Sequence, residues 1–190
     1  MKIPAQKWHQ AIEVRRSRRQ FNTVPVKGET QDRLLQFCIE LESLMPGTRV
    51  IYSVEDPDSI FKGIVGSYGK IKGTPAFVAF VGNEADPFIG EKVGYVGESF
   101  ILEATSLGVS TCWVAGFFNP DRVRARVNLK QTEKVFGVSP VGYTEREYSF
   151  EEKAMSGLAG SRKRKSIPAI TRGIPQEQWS DWVRTALEAA

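Results

Sequence analysis

The chain has 190 residues, 41% hydrophobic and 25% charged, with a formal net charge of +4, a size suited to one domain around one sizeable core. Its single histidine, His9, argues against serine and cysteine hydrolases, which rely on an imidazole base, and against histidine-rich zinc sites. No apolar run reaches the length of a membrane span, and Met1-Lys2-Ile3-Pro4 lacks the hydrophobic stretch of a signal peptide, so a cytoplasmic protein is expected.

Residues 5–15 read as a helix with Trp8, Ala11 and Ile12 on one face, and His9 as an exposed or half-buried member of it. The cluster Arg15-Arg16-Ser17-Arg18-Arg19 follows where that helix ends. A second helix is predicted over Glu29 to Leu44, where Leu34, Leu35, Cys38 and Leu41 recur at three- and four-residue spacing. Pro46-Gly47 stops it. Cys38 is expected to be a small core residue, and Cys38 and Cys112 are spaced for neither a metal-ligand pair nor a redox pair. Next come a strand over 49–54, a short helical turn over 56–61, and a glycine-rich loop holding Gly63, Gly66, Gly69 and Gly73. Phe77 to Val81 reads as a buried strand.

Glu91 to Leu107 is the clearest helix, with Val93, Val96, Phe100, Ala104 and Leu107 along one stripe and Gly108 as its stop. Gly94 and Gly97 inside it each cost about 1 kcal/mol relative to alanine. That cost implies close approach by a neighbouring element or a ligand. A strand over 109–114, a helix start at Asn119-Pro120-Asp121 and a strand over 135–143 follow. Ser149 and Glu152 have the spacing of a capping box. A last helix is predicted from Pro175, with Trp179, Trp182, Val183, Ala186 and Leu187 on one side. It runs uncapped to Ala190, as expected of a sequence cut within a helix. The irregular alternation of helices and strands favours an α+β layer over a regular parallel sheet.

A second basic cluster, Arg162-Lys163-Arg164-Lys165, lies far from the first. Without these two clusters' eight basic residues, 18 basic face 22 acidic ones, so the positive charge is concentrated in two places that a fold could bring around one anion. Guanidinium forks match phosphate oxygens in paired hydrogen bonds. Arg15, Arg16 and Arg19 could supply such forks while Ser17 adds a hydroxyl. The alternatives are a solvated basic patch or a nucleic-acid contact. The acidic remainder of the chain, and clusters without interleaved aromatics, argue against nucleic acid. With one histidine in the chain, the difficult chemistry of an enzyme falls to a cofactor.

Several stretches resemble a known family. Ala11-Ile12-Glu13-Val14-Arg15-Arg16-Ser17-Arg18-Arg19-Gln20-Phe21 is similar to the opening motif of the FMN-dependent nitroreductases. Gly66-Ser67-Tyr68-Gly69-Lys70-Ile71-Lys72-Gly73-Thr74-Pro75, Gly94-Tyr95-Val96-Gly97-Glu98 and the segment from Leu107 to Phe117 follow in the order of a branch in which two nitroreductase-like halves are fused. Val141-Gly142-Tyr143 and the late basic cluster complete a resemblance over nearly the whole chain.

The resemblance implies a nitroreductase-like α+β fold, an antiparallel-rich sheet flanked by helices. It implies that Arg15, Arg16, Ser17 and Arg19 hold the FMN phosphate, ribityl chain and pyrimidine edge, and that Arg162 and Arg164 complete the phosphate clamp. Val114, Ala115 and Gly116 would lie against the isoalloxazine, with the Ala115 amide directed at flavin N5. NAD(P)H would be the electron donor, and a nitroaromatic, quinone or similar small molecule the acceptor, with no side chain needed as general acid or base. No nucleic acid or membrane partner is expected. In the fused branch the last helix leads into a turn reading Ala-Pro-Ser-Ala-x-Asn-x-Gln-Pro-Trp, and this chain stops before it. The expectation is therefore a nitroreductase-like domain over 1–160 and, over 161–190, the start of a truncated second half. A homodimer or pseudo-dimer would complete it. A flavin-binding or regulatory module without turnover is the alternative.

Overall fold

The sheet is built around its most apolar strand. In the computed structural model, residues 3–61, 70–116, 118–149, 151–153 and 165–189 are described. β1 (Thr48–Ser53) and β4 (Glu133–Gly142) pair antiparallel with the two edges of β2 (Ala76–Asn83), and β3 (Ser110–Thr111) pairs antiparallel with β4, giving the order β1-β2-β4-β3. β2 is buried at every position but its last, so both faces of the sheet need cover.

Alternation along β2 divides the core in two. Ala76, Val78 and Phe80 join one cluster with α1 (Ala5–Val14), α2 (Glu29–Leu44) and α4 (Ile89–Ser106). Phe77, Ala79 and Val81 join the other, with Ile60 and Phe61 of α3 (Pro57–Phe61) and Val123 of α5 (Pro120–Arg124). Antiparallel strands flanked by helices make this the expected α+β layer.

β4 contains a bulge. Phe80 faces Gly137 while Val81 faces Val135, which leaves Phe136 as the extra residue. Val135 and Val138, three apart, therefore share the second cluster, while Phe136 and Val141 face the first. Phase beyond the bulge also puts Gly137 beneath Trp113.

One carboxylate ties the three helices together. Glu103 of α4, 2% exposed, accepts from Trp8 Nε1 at 2.9 Å and from Arg33 Nε at 2.8 Å, with Lys7 Nζ 3.6 Å away. Burial alone would raise its pKa, but the hydrogen bonds from Trp8 and Arg33 and the charges of Lys7 and Arg33 hold it below the usual carboxylate range. His9 is exposed, as expected. Cys38 is a core residue whose thiol is pushed up to about 12, mainly by burial.

The structure corrects several local expectations. The buried stripe of α2 runs Leu34, Phe37, Cys38, Leu41, whereas Leu35 is exposed. The strand expected over 109–114 is only Ser110–Thr111, because the Cys112 amide is diverted to the Ser139 hydroxyl at 3.0 Å and leaves the ladder. No helix begins at Pro175. A 3-10 turn spans Gln176–Gln178, Trp179 is extended with its indole donating to the Ile174 carbonyl, and the helix Asp181–Ala189 starts on the Ser180 carbonyl. The capping box at Ser149 and Glu152 and the side-chain N-cap of Asn119 both form. No helix among the described residues is long and apolar enough to cross a membrane.

Candidate functional site

α1 ends at Val14, where Arg15 turns the backbone to φ −57°, ψ 131°. The chain then runs extended along the rest of the fold. Ser17 bridges Thr111 in parallel, the Arg18 amide donates to the Thr111 carbonyl at 2.9 Å, and the Lys72 amide donates to the Arg19 carbonyl at 3.0 Å. Successive side chains of an extended segment point to opposite sides. Ser17 and Arg19 therefore share one side and Arg16 and Arg18 the other, while Arg15, at the turn out of α1, stands between them.

On that other side Arg18 is engaged in the fold, while Arg16 is exposed. Arg18, 9% exposed, donates through Nε to Glu152 Oε1 at 3.2 Å and through Nη2 to the Glu147 carbonyl at 3.0 Å, with its guanidinium 5.0 Å from the Tyr148 ring centre. Glu152 also accepts from the amides of Arg19 at 2.7 Å and Ser149 at 3.0 Å. Burial pushes the Glu152 carboxyl up, but these donors, Arg18 first, bring it below the usual range. Arg16 donates to the carbonyls of Glu13 and Arg15 at the exit of α1. A cleft of about 350 Å³ lies here, lined by Arg15, Arg16, Arg18, Ser110, Arg146 and Tyr148 among others, so Arg15 borders it too.

The first side is arranged differently. Cys112 lies buried beside this segment, its thiol raised by desolvation against the opposing pull of Arg19, Ser17 and Arg15. Arg15 Nε stands 3.6 Å from Glu98 Oε1, and the other Glu98 oxygen accepts from Trp113 Nε1 at 2.7 Å. The Trp113 ring lies against α4 where a Cβ on Gly97 would overlap it, and its centre is 4.4 Å from that of Phe80. Gly97 thus answers a close approach by a side chain of the following loop. Gly94 faces open space instead, so the propensity cost there has no packing cause among the described residues.

Beyond Trp113, Val114 exchanges two backbone hydrogen bonds with Val138, both 2.9 Å, so its amide is occupied. Ala115 and Gly116 are exposed, and a Cβ on Gly116 would meet nothing within 4 Å. The Ala115 amide donates to no described residue. The result is a cluster of two guanidiniums and a hydroxyl with an open backbone donor beyond Trp113. That donor set fits a flat ligand carrying a phosphate. Arg162, Arg164 and Tyr68 lie outside the described residues. Glu98 has no role in the reading from sequence, although it closes a motif singled out there. The sequence marks Glu152 only as a helix cap.

The chain matches the model of the family described as "Putative TM nitroreductase" over residues 7–190. None of the curated proteins matches it. Among solved structures, a nitroreductase with bound FMN from Bacteroides fragilis is similar with TM-score 0.59 and 18% identity, over 89% of this chain and 98% of that one. A nitroreductase family protein from Clostridium difficile 630 has TM-score 0.59 and 19% identity over the same shares. An FMN-dependent nitroreductase from Clostridium difficile R20291 has TM-score 0.58 and 18% identity, over 73% of this chain and 88% of that one. These likenesses are in fold. With a family match across nearly its whole length, the chain belongs to the "Putative TM nitroreductase" family of oxidoreductases.

Proposed function

We propose that the chain binds FMN and works as an NAD(P)H-dependent oxidoreductase of nitroaromatic, quinone or similar small-molecule acceptors. The observation that carries this reading is the cluster of Arg15, Ser17 and Arg19 beside a cleft, with Ser17 bridged to Thr111 and the open Ala115 amide four residues further along that same segment. The bound FMN named in the Bacteroides fragilis structure adds support. The chemistry a bound FMN supplies is electron transfer between NAD(P)H and the acceptor.

The chain's own residues do the holding and the tuning. Arg15, Arg16, Ser17 and Arg19 would together take the phosphate, ribityl chain and pyrimidine edge. Ala115 and Gly116 would leave the ring face uncrowded, and the Ala115 amide would donate to its central nitrogen. Guanidiniums and an oriented amide favour negative charge on the ligand without rearrangement at the moment of transfer. Arg162 and Arg164 would add to the phosphate clamp.

The absorption spectrum of the purified protein tests the reading, since bound flavin absorbs blue light. A preparation that is colourless and stays so with added FMN overturns it. Yellow protein that consumes no NAD(P)H assigns the chain to flavin binding without turnover. Arg15→Ala and Arg164→Ala should each weaken FMN retention by about tenfold, the loss of one charged hydrogen-bonding partner. Unchanged affinity in both would contradict the clamp.

A further inference from the structure

We infer that Glu98 is a positioning residue that ties the phosphate-facing arm of the site to its redox-facing arm, an assignment that rests on the flavin reading above. One carboxylate meets two segments far apart in sequence. Its Oε1 faces Arg15 Nε at 3.6 Å, at the exit of α1, and its Oε2 accepts from Trp113 Nε1 at 2.7 Å, just before Val114-Ala115-Gly116. Glu98 itself sits on α4, whose neighbouring residues Val96, Gly97 and Phe100 are buried against the sheet. The carboxylate is therefore carried by a helix packed on the sheet, and both arms meet it there.

Each arm is held in a way that leaves its working end open. Glu98 meets Arg15 on the Nε edge, and the terminal guanidinium nitrogens donate to no described residue. They remain available to an anion. The indole is held from three directions: by the Glu98 carboxylate, by the Phe80 ring, and by the glycine slot at Gly97 and Gly137. The indole is thus fixed one residue before Val114, whose two backbone hydrogen bonds to Val138 carry that order on towards the Ala115 amide. Ordering both arms before the ligand arrives lowers the cost of ordering them on binding. Glu98 acts through Arg15 and Trp113, and no contact of its own with the ligand is required.

The test uses the full chain and titrates FMN by flavin fluorescence, with the thermal midpoint and tryptophan emission recorded for each variant. Glu98→Gln keeps an acceptor for the indole but removes the charge facing Arg15, and should weaken FMN binding about threefold, the scale of a half-exposed ion pair. Glu98→Ala also leaves the indole donor without its partner, and should weaken binding about tenfold while shifting tryptophan emission. In an Arg15→Ala background, Glu98→Gln should cost nothing further, because two residues acting as one unit are not additive. The assignment is overturned if Glu98→Gln binds FMN as tightly as the parent, or loses the same factor with Arg15 already removed. Parent protein that takes up no FMN sinks the flavin reading and this assignment with it, whereas parent protein that binds while Glu98→Gln is unchanged sinks this assignment alone. Should Glu98→Ala fail to fold, Glu98→Gln and the Arg15 background decide.

Discussion

Arg15 and Arg18 stand three residues apart on one extended segment, and each meets a carboxylate, but in different surroundings. The Arg18 and Glu152 side chains are 11% and 2% exposed, while those of Arg15 and Glu98 are 33% and 42% exposed. Removing one partner of a buried pair strands a charge away from water, which destabilises strongly. An exposed pair is worth little, and it leaves the cation's remaining donors within reach of a ligand. Burial of the partner, and nothing in the arginine itself, decides which cation anchors the fold and which can serve a ligand.

The contrast breaks most visibly at its buried end. Glu152→Ala should lower unfolding stability by about 3 kcal/mol, read by urea denaturation, because Arg18 and the amides of Arg19 and Ser149 lose their acceptor. Gly97→Ala should cost about 2 kcal/mol by the same measurement, since the new methyl group enters space held by Trp113. It should also displace the Ala115 backbone, so FMN affinity should fall with it.

Acid sharpens the comparison without mutation. Glu103 and Glu152 both have carboxyl pKa values below the ordinary 4.5, each through hydrogen bonds and charges that outweigh burial. A depressed carboxyl stabilises the fold above the unfolded value, and that contribution disappears as pH falls from the ordinary carboxylate range through the folded value. The thermal midpoint should drop over that window, and Glu152→Gln should show a shallower drop than the parent. A midpoint flat down to pH 3 would contradict the role given to both carboxylates.

At the exposed end, Arg15→Ala should change stability by less than about 0.5 kcal/mol, in line with an exposed pair, while FMN retention falls. Equal stability losses from Arg15→Ala and Arg18→Ala would erase the distinction between the two pairs. The smallest effect concerns the thiols. Cys38, raised to about 12, and Cys112, also raised by burial, should both resist a neutral-pH thiol reagent in native protein and react once urea is added.

Much of the frame is legible in the residues because its signals are local. The stripe of α4, the Asn119 cap and the Ser149–Glu152 box each depend on neighbours within a few positions, and each forms. Expectations fail where a side chain and a backbone group outside the pattern pair. Ser139 draws the Cys112 amide out of its strand, and the break at Trp179–Ser180 interrupts an apolar pattern that reads as one helix. Gly94 and Gly97 look alike in sequence, yet only Gly97 has an indole against it.

The same division runs through the candidate site. By itself, the order of residues determined that cationic forks cluster beside a serine where a helix ends, that a single histidine leaves little scope for imidazole chemistry, and that helices and antiparallel strands would mix. Tertiary structure alone decided that Glu152 claims Arg18. It also decided that Glu98 reaches Arg15 and Trp113 at once. Spacing along a chain fixes which side chains share a face, but a charge acquires its role from the solvent and partners that only the folded chain brings to it.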